Sequence, residues 1–186
     1  MATIGRHNIT QLETVEAPGA MLTHAAARSL AVLRFATGFV FLWAFLDKTF
    51  GFGYATPAER AWINGGSPTK GFLSSLETGP FVNFFHSIAG TGWANWLFML
   101  GLLGIGLALI LGVGLRIGAA SAILMMGFMW VAEWPLAAGS SNPIVDYHVV
   151  YAISAVVLAL TYAGHTWGLG RLWAKLPLVQ KNRWLI

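Results

Sequence analysis

Four long apolar runs, each close to the roughly 20 residues a helix needs to cross a hydrocarbon core, dominate the chain. Ser29 to Phe50 is interrupted only by Arg34, Asp47 and Lys48. Ala94 to Gly112 and Gly114 to Leu136 follow, joined by a Gly112-Val113-Gly114-Leu115-Arg116 link so short that it demands an antiparallel hairpin. The fourth run opens at Asn142-Pro143, where Asn would cap a helix and Pro would take its first position, and continues to Gly168. The pattern predicts an all-α integral membrane fold: a four-helix transmembrane bundle with spans at about 29–50, 94–112, 114–136 and 143–168, forming one membrane domain over 29–168.

Residues 51–93 are the longest polar-leaning stretch between runs and are expected to form an outer loop carrying short helices. Thr56-Pro57-Ala58-Glu59 combines a capping box with proline at the first helical position, predicting a short helix through Trp62 that Asn64-Gly65-Gly66-Ser67-Pro68 stops. Phe81, Phe84, Phe85 and Ile88 recur at helical spacing, so Pro80 to Ala89 should form a second short helix on the membrane surface or over the bundle end. A polar tail, 1–28, and a basic tail, 169–186, flank the domain. The first run is too long, and its leader too polar, for a cleavable signal peptide.

Composition sharpens this picture. With 56% hydrophobic and only 10% charged residues in 186, and a mean hydropathy of +0.66, the chain lacks the polar surface of an ordinary soluble domain. The net charge of +4 is not gathered into a basic run, which argues against nucleic-acid binding. The absence of cysteine excludes disulfides, thiol relays, Cys-ligated zinc and iron–sulfur clusters. Arg6, Arg28, Arg34, Arg116, Arg171, Lys175, Lys181 and Arg183 fall on the side of the two termini, against Lys48, Arg60 and Lys70 opposite. That asymmetry predicts a multi-pass protein of a prokaryotic plasma membrane with both termini cytoplasmic.

Small residues at four-residue spacing (Gly104, Ala108, Gly112; Ala155, Ala159, Ala163; Gly118, Ala122) mark close helix packing, internal or between copies in a homo-oligomer. Ionisable groups in or beside the hydrocarbon are costly and need a reason. Asp47 and Lys48 end the first span, Glu133 ends the third, and Asp146 and His148 begin the fourth, so all five are expected at the outer end. Trp130, Glu133 and Trp134 share one helix face, His148 and Tyr151 another, and Trp43 lies one turn before Asp47. Together they could wall a pocket for a flat ring such as a quinone headgroup, or form an interfacial ion-pair network that locks the helix ends. Arg34, one to two turns inside the opposite end, would snorkel, pair within the bundle or bind a headgroup. Bis-histidine haem built from His24 and His165 or from His86 and His148 is not expected, since only His148 lies firmly on a span, and no metal motif is present.

Four segments carry a family resemblance: Phe39 to Lys48; Thr56 to Glu59 with Ala61 to Pro68; Leu102 to Leu109 with Gly114 to Arg116; and Asn142-Pro143-Ile144-Val145-Asp146-Tyr147-His148. The chain resembles the DoxX/DoxD family of small four-helix membrane proteins over about residues 28–172. The resemblance implies the DoxD-like membrane subunit of a thiosulfate:quinone oxidoreductase, which passes electrons from thiosulfate to quinone with formation of tetrathionate, beside a DoxA-like or sulfurtransferase partner. On that reading His148 and Asp146 handle protons, Lys48 holds an anion, Asp47 and Glu133 complete a catalytic set, and Trp43, Trp130, Trp134, Tyr151 and Arg34 contact the quinone. The alternative is a non-catalytic membrane anchor whose 51–92 loop docks a peripheral enzyme of sulfur metabolism or stress defence.

Overall fold

The computed structural model describes residues 23–186 apart from 138 and 141. Most of the expected polar tail, including Arg6, Glu13 and Glu16, lies outside the described residues. Among the described residues regular structure is helical only: α1 (His24–Phe50), α2 (Lys70–Ser74), α3 (Val82–Ile88), α4 (Gly92–Leu111), α5 (Leu115–Glu133), α6 (Tyr147–Leu160), α7 (Gly170–Trp173) and α8 (Pro177–Lys181).

Three of these, α1, α4 and α5, are long and apolar enough to cross a membrane. Their ends follow local chemistry. Thr23 caps α1 by accepting from the Ala26 N–H at 3.1 Å, and Gly51 ends it in the left-handed region, where a side chain would be strained. Gly112 and Gly114, both at positive φ, turn the chain between α4 and α5 within three residues, giving the expected hairpin. The helix α6 is shorter, 14 residues or about 21 Å at 1.5 Å per residue, and packs against α5 and α1.

Here the structure departs from the 143–168 run. Asn142 does not cap α6; its Oδ1 accepts from the N–H groups of Ile144 and Val145, an Asx turn that keeps residues 143–145 out of the helix. Asp146 takes the cap instead. At the far end Tyr162 adopts a left-handed conformation and the chain continues irregularly through the 3₁₀ turn Ala163–His165. The expected helix at 57–62 resolves into two 3₁₀ turns, Ala58–Arg60 and Trp62–Asn64, split at Ala61; Thr56 makes no capping hydrogen bond there. The second expected short helix is present as α3, whereas α2, α7 and α8 lay outside the sequence pattern.

The helices α1 and α4 approach closely. A Cβ on Gly38 would stand 2.8 Å from Leu109 Cβ, and one on Gly106 would stand 2.8 Å from the Leu42 backbone nitrogen. Gly118 similarly abuts Ala108, but Gly104 of the expected stripe faces open space. Phe41, Met99, Leu102, Ile105, Leu109 and Leu158 fill the interior. Leu97, Leu100, Leu124, Phe128, Ile153 and Leu160 point outward, while Arg34, Thr37, Asn95 and His148 are buried. Apolar outside and polar groups tucked inside is the distribution that a lipid solvent selects and water would not.

Candidate functional site

The polar groups sort into two ends. At the end where α4 turns into α5, Arg34 is wholly buried (0% exposed) and donates only to backbone carbonyls. Its Nε reaches Ala163 O at 3.2 Å, one terminal nitrogen reaches Leu109 O and Ile110 O, and the other reaches Thr166 O at 3.3 Å and Trp167 O at 3.0 Å. A helix leaves its last four carbonyls without intrahelical partners. In α4 Ala108 O accepts from Gly112 and Val113, Leu109 and Ile110 from Arg34, and Leu111 from the Leu169 N–H. The guanidinium therefore completes the C-terminus of α4, favoured there by the helix dipole, and pins the 163–167 segment to it. The structure places Arg34 away from the other candidate residues.

The acidic end lies beyond Asp47 and Glu133. Asp47 is buried and accepts from the N–H groups of Tyr54 at 3.4 Å and Ala55 at 3.0 Å, tying the chain after α1 back onto the helix. Trp43 packs under the same segment, 5.7 Å from Phe52 and 5.2 Å from Tyr54 between ring centroids. Lys48 is half-buried with Nζ 6.0 Å above the Phe98 ring on α4. No hydrogen bond or ion pair among the described residues joins Asp47, Lys48 or Trp43 to the α6 residues.

A second group does assemble, around the start of α6. Trp130 Nε1 donates to Ile144 O at 3.1 Å, which draws residues 142–146 back to the end of α5, where Asp146 stands beside Glu133. One Asp146 oxygen accepts from the N–H groups of His148 at 2.9 Å and Val149 at 3.3 Å, the other from His148 Nδ1 at 2.9 Å. The carboxylate thus fixes both the helix start and the imidazole. In the tautomer that donates from Nδ1 to Asp146, Nε2 is left with a lone pair. That Nε2 is buried and makes no hydrogen bond, on a ring that is 0% exposed.

Tyr147 completes the group. Its hydroxyl donates to Glu133 Oε1 at 3.0 Å, and its ring lies 4.0 Å from the His148 ring. Tyr151 follows at 6.1 Å from Tyr147 and 6.3 Å from Phe41. Glu133 is exposed, Asp146 half-buried and His148 buried, and one donor atom from each lies within 4.8 Å of the others. Titratable groups therefore step from the surface into the core. Trp134, at the left-handed end of α5, packs on Gly79 and stands 6.5 Å from Trp130, so the two tryptophans brace the loop from outside.

Of the residues expected to converge, Glu133, Asp146, His148, Tyr151, Trp130 and Trp134 gather on the α5–α6 side, and Asp47, Lys48 and Trp43 gather on the α1 side. Two participants carry little signal in the sequence. Tyr147 is legible there only as the neighbour of His148. Buried Asn95 is hidden in an apolar run, yet its Oδ1 accepts from Ser67 Oγ, the Thr69 N–H and Thr69 Oγ1, pinning the loop before α2 to α4. Comparison with protein-family models, with characterised proteins and with solved structures finds no match.

Proposed function

We propose that this chain is the membrane subunit of a quinone-linked oxidoreductase, with α6 and its flanking residues serving as a fourth span and the Glu133–Tyr147–Asp146–His148 group as its proton-handling centre. The observation that carries this reading is the buried His148, oriented by Asp146 through Nδ1 and left with an unengaged Nε2. A buried polar atom without a partner costs on the order of 1–3 kcal/mol, so a ligand hydroxyl donating to Nε2 would recover a deficit already present.

The residues fit a quinone headgroup in kind. Nε2 can accept from the hydroxyl of the reduced ring and, once protonated, donate to the oxygen of the oxidised ring, and Tyr147, Tyr151 and Phe41 supply aromatic faces beside it. A bound quinone supplies a two-electron acceptor that takes up two protons on reduction. His148 would give or take a proton at Nε2, Asp146 would stabilise the imidazolium while it exists, and Glu133 with the Tyr147 hydroxyl would exchange protons with the surface. Thiosulfate as donor rests on the DoxX/DoxD resemblance. Oxidising two thiosulfates to tetrathionate releases two electrons and no protons, so the protons must come through such a relay.

The test is quinone content and turnover in the same preparation. Membranes containing the full chain should reduce a soluble quinone analogue with thiosulfate, and the purified protein should release a quinone into organic solvent. His148→Gln should lose both, whereas Asp146→Asn should keep the quinone, slow turnover and shift its pH profile. Protein that carries no quinone, with turnover indifferent to His148→Gln, would favour the anchor reading, which the exposed Phe52, Tyr54, Ile63 and Phe81 of the outer loop also suit.

A further inference from the structure

A cavity of about 530 Å³ lies at the opposite end of the molecule from His148, lined by Arg116, Tyr162, His165, Gln180, Arg183 and Ile186 together with Ala174. Its size suits a small ligand or a headgroup. Arg116 stands in the first turn of α5, 17 positions from Glu133 and hence about 25 Å along the helix from the acidic end. Arg183 comes from the other side because the 170–186 segment folds back. Trp173 Nε1 donates to Leu185 O at 2.7 Å, Val179 is fully buried, and the 3₁₀ turn Arg183–Leu185 packs on α5.

Two of the lining side chains, Arg116 and Arg183, carry guanidiniums. Among the described residues no Asp or Glu side chain lines the cavity, and none occurs anywhere from residue 147 to 186. Neither Arg116 nor Arg183 forms a salt bridge among the described residues. Arg116 is nonetheless held: its terminal nitrogen donates to Tyr162 Oη at 3.2 Å, which fixes the guanidinium at the cavity wall and leaves its other N–H groups available. Two guanidiniums brought to one cavity repel unless an anion lies between them, and the planar fork of Arg matches phosphate oxygens two at a time. The cavity also sits at the ends of the candidate spans, where basic pockets between spans take anionic lipids.

We propose that this basic pocket is a binding site for a phosphate group, carried by an acidic phospholipid headgroup or by a free phosphate. Arg116 and Arg183 grip the phosphate oxygens, and Gln180 adds an amide donor. The site is independent of the proton-handling group at the other end, so either can fail without the other.

The experiment uses the full chain purified in an uncharged detergent, with thermal unfolding followed by tryptophan fluorescence. It is titrated with dihexanoyl phosphatidylglycerol and with inorganic phosphate, against dihexanoyl phosphatidylcholine and chloride at matched ionic strength. At least one of the two anions should raise the midpoint saturably beyond its control. A response to phosphatidylglycerol alone assigns the site to lipid headgroups, and a response to inorganic phosphate assigns it to a free phosphate. Arg116→Gln/Arg183→Gln should unfold like the wild type without ligand, since both side chains are exposed, yet bind about tenfold or more weaker per guanidinium removed. Native mass spectrometry of the wild type with phosphatidylglycerol supplies a readout that needs no variant. The proposal is overturned if neither anion exceeds its control, or if the double variant binds as tightly as the wild type.

Discussion

Replacing Arg34 by Met keeps an unbranched stem of similar reach and removes five hydrogen-bond donations at once. The bonds to Ala163 O and Leu109 O are buried; those to Ile110 O, Thr166 O and Trp167 O are only partly so. Water can replace the partly buried set at little net cost, whereas each buried carbonyl left unpaired costs about 1–3 kcal/mol. Two such carbonyls give about 2–6 kcal/mol, from which the desolvation cost of the charge itself is recovered, leaving about 1–4 kcal/mol of destabilisation. For a chain of this size that lowers the thermal midpoint by roughly 2–16 °C. Arg34→Lys should fall between Met and the wild type, because an ammonium offers three donors from one point and cannot reach all five carbonyls. The assay is thermal unfolding in detergent, paired with hydrogen exchange read peptide by peptide. Exchange should rise first at residues 161–169, which Arg34 pins to α4, while the acidic end stays protected. A midpoint within about 1 °C of the wild type, or exchange that rises uniformly, would refute the view that this charge serves the backbone and not a ligand.

Three further outcomes follow from the packing and the charge distribution. Gly106→Leu should destabilise by about 1–3 kcal/mol or more, since its first side-chain carbon already meets the Leu42 backbone at 2.8 Å, while Gly104→Leu, facing open space, should be nearly neutral in the same unfolding assay. Asp47→Ala should release the segment after α1, seen as faster proteolysis between Gly51 and Thr56, and cost about 1–3 kcal/mol through two unpaired N–H groups, whereas quinone content should not change. Because the chain has no cysteine, single cysteines at Tyr54 and Lys175 report orientation directly: an impermeant maleimide added to intact cells should label the first and not the second, and the reverse pattern would overturn the assignment of the basic end to the cytoplasm.

The three long spans, their glycine-ended hairpin and the separation of acids from bases can all be read from the order of residues alone, because in lipid a span must be apolar for its full length and satisfy its own backbone. Composition imposes that, so periodicity need not be read. The site was legible as a level in the membrane but not as a set. Asp47, Lys48, Glu133, Asp146 and His148 were all expected at one end, yet which of them touch depends on how α1, α5 and α6 are turned about their axes. Uniformly apolar helices carry no stripe from which that rotation could be read. The shortening of the fourth run had a similar origin, since Asn142 and Asp146 are both good caps and the tertiary bond from Trp130 to Ile144 favours the later one. Arg34 shows the division most plainly. Its sequence announces a charge in a span, and only the tertiary structure supplies the reason: the unpaired carbonyls of another helix and of a loop more than 120 residues away converge on it.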